Sequence, residues 1–269
     1  MRLSVSNLAW PPECEGAILD PLFQRGVRGI EVAPTRLAPW DELNSADLRS
    51  FRVRTADAGL AVSSLQAILF GKTDLSLLGD ALSFGALMDH MKRVAEIADT
   101  LGAAALVFGS PRHRSRGDLP VADAWSLARE RWHILGELVA TAHAVIGIEP
   151  VPTYYGGDFL ASWVDVLRMV QEVNHPSIRV HLDTACVALG GDSIKDAIPA
   201  CLPWLVHFHA AQPDLANFEE PAANHAAAAR ALRDAGYDKW VAIEMREQPG
   251  DPVAATLQAV DAINGLYFS

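Results

Sequence analysis

Four apolar runs in this chain each close on a side chain able to bind a cation. "VIGIE" (145–149) ends on Glu149, "IRVHLD" (178–183) on Asp183, "WLVHFH" (204–209) on His209 and "WVAIE" (240–244) on Glu244. A single acid in such a place is ordinarily a solvated loop residue or a helix cap. Four in succession differ if their strands share one mouth, because charges gathered in a concavity are costly unless a cation neutralises them. Three carboxylates and one imidazole suit a divalent ion that prefers oxygen and accepts nitrogen. Mn²⁺ is the first choice, followed by Mg²⁺, Co²⁺ or Zn²⁺, and the thiolate-rich donor set of structural zinc is absent. Within the same set, Glu149 and Glu244 have the chemistry to remove and return a proton. His207 shares a strand face with His209, since alternate residues point the same way. It lies one layer deeper, where it orients or packs.

Such a site needs elements that bring these ends together. Four more buried-strand patterns precede the four above: "LSVSN" (3–7), "GIEVA" (29–33), "LAVSSLQ" (60–66) and "AALVFG" (104–109). Continuous apolarity, as opposed to alternation, is what a parallel sheet covered on both faces requires. Helical patterns lie between the strands. Leu87, Met91, Val94, Ala98 and Leu101 line one face, with Gly102 placed as a C-cap. Asp251-Pro252 opens a helix continued by Val253, Leu257 and Val260. Asp158 is placed to cap the stretch holding Trp163, Val166, Leu167 and Val170. The sixth helix, around 192–200, has the weakest pattern. Strand then helix, eight times, predicts one (β/α)₈ TIM barrel of class α/β, a single domain over residues 1–269. In that fold the chemistry sits at the C-terminal strand ends.

Composition bounds the partners. A net charge of −11 argues against general affinity for nucleic acid or an anionic membrane. No window of eighteen apolar residues spans a bilayer, and the first residues lack a signal-peptide core. Cys14, Cys186 and Cys201 make an odd, unpaired set that fits a reducing compartment, so a cytoplasmic location is expected. A homo-oligomer is compatible with all of this.

Several further residues are candidates for holding a small molecule at the mouth. Glu31 and Gln66, at the ends of strands two and three, can bind hydroxyls, although a salt-bridged loop acid is an equal reading of Glu31. In "SPRHRSR" (110–116), Arg112 is close enough to grip a phosphate or carboxylate, whereas Arg116 reads as solvated surface. Arg246, two residues past Glu244, is a second cation of this kind. Trp10 and Tyr154 offer faces for a sugar ring, with core packing the default for an aromatic.

The segments "GIEVAPTRL", "LQAILFG", "LVFGSPRHR", "IEPVPTYYGGDF", "HLDTACVALGGD", "HFHAAQPDL" and "GYDKWVAIEM" carry a resemblance over the whole length. The chain resembles the xylose-isomerase-like barrel superfamily, in particular its sugar phosphate isomerase/epimerase branch. The resemblance to ketose 3-epimerases implies a metal held by Glu149, Asp183, His209 and Glu244. It also implies proton transfer by Glu149 and Glu244 through a metal-stabilised enediolate, on a sugar, sugar phosphate or cyclitol. Return of the proton to the opposite face gives epimerisation; return to the adjacent carbon gives aldose–ketose isomerisation. The chain departs from those relatives at Cys186, where they carry a substrate-binding histidine, and at Asn217, where an arginine contact has no match. After the strand-seven histidine it has Ala210, Ala211 and Gln212, where many have a serine and a glutamate. A dehydratase acting on an inosose shares the single-metal site and is the alternative. An AP endonuclease-like phosphodiesterase needs extra histidines where this chain has Gln66, Ser110 and Cys186. A barrel that binds a sugar without turning it over is a third reading, against which Glu149 and Glu244 speak.

Overall fold

The structure, a computed structural model, describes residues 1–268. Eight strands close on themselves: β1 Arg2–Ser6, β2 Gly29–Val32, β3 Ala61–Leu65, β4 Ala105–Phe108, β5 Val145–Ile148, β6 Ile178–Asp183, β7 Leu205–Ala211 and β8 Trp240–Glu244. Each pairs in parallel with the next, and β8 returns to β1. This is a TIM barrel. Nearly every strand residue is buried, which is why the strands read as unbroken apolar runs.

The helices form the outer layer: α1 Glu15–Gln24, α2 Ser45–Asp57, α3 Ala81–Leu101, α4 Val121–Ala140, α5 Trp163–Val173, α6 Thr184–Leu189, α7 Ile194–Cys201, α8 His225–Asp234 and α9 Pro252–Tyr267. The main core lies between them and the barrel, where Phe108 of β4 meets Trp132 of α4 edge-on at 4.8 Å. Helix α3 ends at Gly102, whose φ of +79° suits glycine and whose N–H bonds the Ala98 and Asp99 carbonyls. Asp251 caps α9 through the Ala254 N–H.

Three local expectations are corrected. Asp158 does not cap α5. Ser162 does, accepting the Asp165 N–H at 3.1 Å, because it stands immediately before the first helical residue. The crossover after β6 holds two helices, not one. Asp183 caps α6 with no intervening loop, Gly191 at φ +78° breaks the chain, and α7 follows. Strand β7 runs on to Ala211, so His209 lies inside it.

Register decides what shares a face. Val180 is opposite Leu205, but His181 is opposite His207 and Asp183 opposite His209, so Val206 is an extra residue in β7. A similar slip puts Glu31 opposite Ser64, with Ser63 left over in β3. Side chains alternate along a strand, so a one-residue slip exchanges the two faces. The Val206 bulge thereby turns both β7 histidines to the side of His181 and Asp183.

Candidate metal centre

Asp183 shows how a local cap fixes a candidate ligand. Its Oδ1 accepts the Cys186 N–H at 2.7 Å, which fixes the carboxylate, while the buried Oδ2 has no hydrogen-bond partner. Oδ2 faces His209 Nδ1 at 3.7 Å, and Glu244 Oε2 lies 3.1 Å from the same nitrogen. Asp183, His209 and Glu244 thus offer donor atoms within 4.8 Å of one another. Glu149 meets the same limit with Asp183 and Cys186 in one grouping, and with His181 and His209 in another. Thr184 steadies the arrangement by donating to the Ala211 carbonyl at 2.8 Å and accepting the Ala211 N–H at 2.9 Å.

Glu149 follows β5 directly. Its main-chain carbonyl accepts from the fully buried Arg114 at 2.5 Å, and Arg114 also reaches the Phe108 carbonyl at 3.2 Å. A Cβ at Gly109 would collide with Glu149 Oε2, so any other residue there must displace the end of this side chain. The Cys186 thiol sits 3.7 Å from Glu149 Oε1.

Burial and crowding of like charges set the electrostatics of the cluster. Burial, then the charges of Asp183 and Glu244, push the Glu149 carboxyl up to about 8. Burial and Glu244 push Asp183 up to about 6. Burial disfavours the charged form of His209, but Glu31 and Glu244 outweigh it and hold the ring's pKa well above the usual value. Carboxylates that resist ionisation because they crowd one another are what a bound cation relieves. The donor set, the free Asp183 Oδ2 and His209 Nδ1 all fit a hard or borderline divalent ion.

A cleft of 720 Å³ opens above this cluster. Glu149 and Glu244 line it, with Gln66, Arg112, Lys72 and Phe70 among its walls, while Asp183 and His209 lie behind them. The geometry therefore joins two carboxylates that face a ligand-sized space to two further donors sealed from it.

The sequence pattern of the xylose isomerase-like TIM barrel matches residues 19–265. The chain belongs to that family. No curated protein matches it significantly. Among solved xylose isomerase-like and related barrels, D-psicose 3-epimerase in the presence of D-fructose is similar at 18% identity and a TM-score of 0.82, covering 100% of both chains. D-psicose 3-epimerase with D-tagatose from Clostridium cellulolyticum H10 is similar at 13% identity and 0.83, covering 99% of each. A probable 3-DHS dehydratase from Bacillus anthracis is similar at 16% and 0.75, over 100% of this chain and 99% of that one. At such identities the likeness is one of fold.

Within this xylose isomerase-like barrel the remaining candidates separate. Gln66 is buried at the cleft wall and donates to the Ser6 hydroxyl. Arg112 is exposed on the wall. Arg246 is exposed but outside the cleft lining, with its N–H on the Leu215 carbonyl. Tyr154 is 59% exposed and bonds Asp214 at 3.0 Å, away from the cleft. Trp10 is 2% exposed and belongs to the core, so it offers no stacking face. Glu31 is fully buried beneath the histidines and cannot touch a sugar.

Sequence reasoning missed His181, whose imidazole is buried beside His207 and His209 with Nε2 3.9 Å from Glu149 Oε1. Its place two residues before Asp183 was the available signal. Gly109 was also missed, although it stands at a strand end that the Glu149 carboxylate approaches closely.

Proposed function

We propose that this chain is a divalent-metal-dependent sugar or sugar-phosphate isomerase/epimerase, with Mn²⁺ as the ion and the cytoplasm as its location. The observation that carries the reading is the pair Glu149 and Glu244 facing the cleft, backed by Asp183 Oδ2 and His209 Nδ1. Glu149, Asp183, His209 and Glu244 would hold the ion. When bound there, such an ion supplies Lewis acidity that makes a C–H beside a carbonyl acidic.

The chain's own residues carry the proton. Glu244 is the more exposed of the two carboxylates, its side chain 15% exposed against 11% for Glu149. It takes the substrate proton as general base. Glu149, the second carboxylate lining the cleft, returns a proton to the substrate. Arg112 and Lys72 both border the cleft, and their side chains have no hydrogen bond or ion pair among the described residues. They are suited to an anionic group on the substrate. A dehydratase is the second reading. Its support is the full-length fold likeness to a protein described as a probable dehydratase, together with Cys186 where the ketose epimerase pattern has histidine.

The test is a panel of ketoses, their phosphates and cyclitol ketones, incubated with Mn²⁺ in D₂O. Deuterium entering a substrate carbon without loss of water supports the isomerase/epimerase; loss of water selects the dehydratase. Absence of both across the panel would sink the proposal. In the same assay Glu244→Gln is expected to keep Mn²⁺ bound yet lose roughly 10²–10⁴-fold in exchange rate, the contribution of a positioned general base. Unchanged exchange would remove Glu244 from the chemistry.

A further inference from the structure

One buried carboxylate has no part in the chemistry above. Glu31, on β2, lies in the barrel interior with no exposed surface. Everything its oxygens meet is a donor or can be one. Ser64 donates at 2.7 Å, His207 Nε2 lies at 2.8 Å, and His209 Nε2 lies 2.9 Å from Oε1 and 3.1 Å from Oε2. Ser64, His207 and His209 all meet Oε2 at hydrogen-bond length, which holds the carboxylate in place, while Oε1 has only the 2.9 Å approach of His209 Nε2. The slip that sets Glu31 opposite Ser64, and the one that turns His207 and His209 inward, both serve this contact.

We propose that Glu31 is a positioning residue for His209. By accepting the Nε2–H it keeps that nitrogen protonated, leaves Nδ1 as the ligand atom, and aims Nδ1 at the space between Asp183 and Glu244. An acceptor on the far nitrogen is the usual device by which proteins fix the tautomer and ring angle of a metal-binding histidine, and it raises the basicity of the ligating nitrogen. Glu31 touches neither the cleft nor the other proposed ligands, so its effect reaches the site only through His209. A glutamine there keeps the shape but removes the charge, and brings an NH₂ donor into a nest of donors. One of its neighbours must then change its protonation or turn away.

The inference rests on the metal reading of this site, and the experiment separates the two. Mn²⁺ affinity is measured by competition with a chromogenic chelator for the full-length wild type and for Glu31→Gln. The expected result is tight binding by the wild type and roughly 10–100-fold weaker binding by the variant, the range for loss of a partner behind a ligand. Equal affinities would overturn the role of Glu31 and leave the metal reading standing. No binding by the wild type would overturn both. Should Glu31→Gln fail to fold, ¹⁵N-histidine spectra of the Zn²⁺-loaded wild type decide the question. His209 should carry its proton on Nε2 and show the metal-induced shift on Nδ1, and the reverse pattern would refute the proposal.

Discussion

Gly109 and Arg112 show two ways in which single residues govern this cleft. Gly109 is a constraint on space: a methyl group there would occupy the position of Glu149 Oε2. Gly109→Ala should displace that carboxylate and lower turnover by roughly 100-fold, the order of cost for a misplacement of about 1 Å. Retained activity would mean that Glu149 has another workable position. Arg112 is a constraint on charge. Its guanidinium borders the cleft without a partner among the described residues, so it is available to an anionic substrate group. Arg112→Ala should raise KM for a phosphorylated sugar far more than for the neutral parent, and equal effects on the two would reject an anion-binding role.

At the scale of elements, the loops after the strands hold the site's rim, and each is tied down by a neighbour. Asp158 accepts from Ser115 Oγ at 2.8 Å and from the Arg116 and Gly117 N–H groups at 3.2 Å, which joins the β5–α5 loop to the loop carrying Arg112. His113 fastens that same loop to the Lys72 segment, through the Lys72 carbonyl at 2.8 Å. Asp158 and the Ser162 hydroxyl therefore do separate jobs. Ser162→Ala should cost about 1 kcal/mol of stability through loss of the helix cap. Asp158→Ala should leave α5 intact and speed hydrogen exchange at Arg116 and Gly117. Faster exchange along the first turn of α5 in the Asp158 variant would show that the two functions had not been separated.

For the whole molecule, the buried cluster makes stability depend on pH. In the folded metal-free protein Glu149 is pushed up to about 8 and Asp183 to about 6, against usual values of 4.5 and 3.8. Between the unfolded and folded values the native state holds more protons, so its stability falls as pH rises. His209, with its pKa raised, acts in the same direction as the pH climbs from its usual value of 6.5 toward the raised one. His225 acts oppositely: burial pushes it down to about 4, so its contribution is lost as pH falls from 6.5 toward that value. The Tm of chelator-treated protein should therefore decline between about pH 6.5 and about 8, and Mn²⁺ should remove the decline by neutralising the carboxylates. A Tm that rises across that window without metal would contradict the buried acidic cluster.

The eight strand runs, the caps at Gly102 and Asp251, and the gathering of Glu149, Asp183, His209 and Glu244 at one mouth were all legible in the sequence. Each depends on local composition: buried parallel strands are apolar throughout, and strand ends at the barrel mouth are where charge can be tolerated. Glu31, Trp10, His181 and Gly109 were not legible in the same way, because their roles depend on contacts far apart in the chain. Glu31 meets His209 across 178 positions, and Gly109 matters only because Glu149 of the next strand leans over it. The face to which His207 and His209 turn was likewise decided in three dimensions. The alternation of β7 fixes that they share a side, but the extra residue Val206 determines that this side is the one holding His181 and Asp183. Register between strands is a property of the closed sheet, set by how the whole barrel packs, and no single segment encodes it.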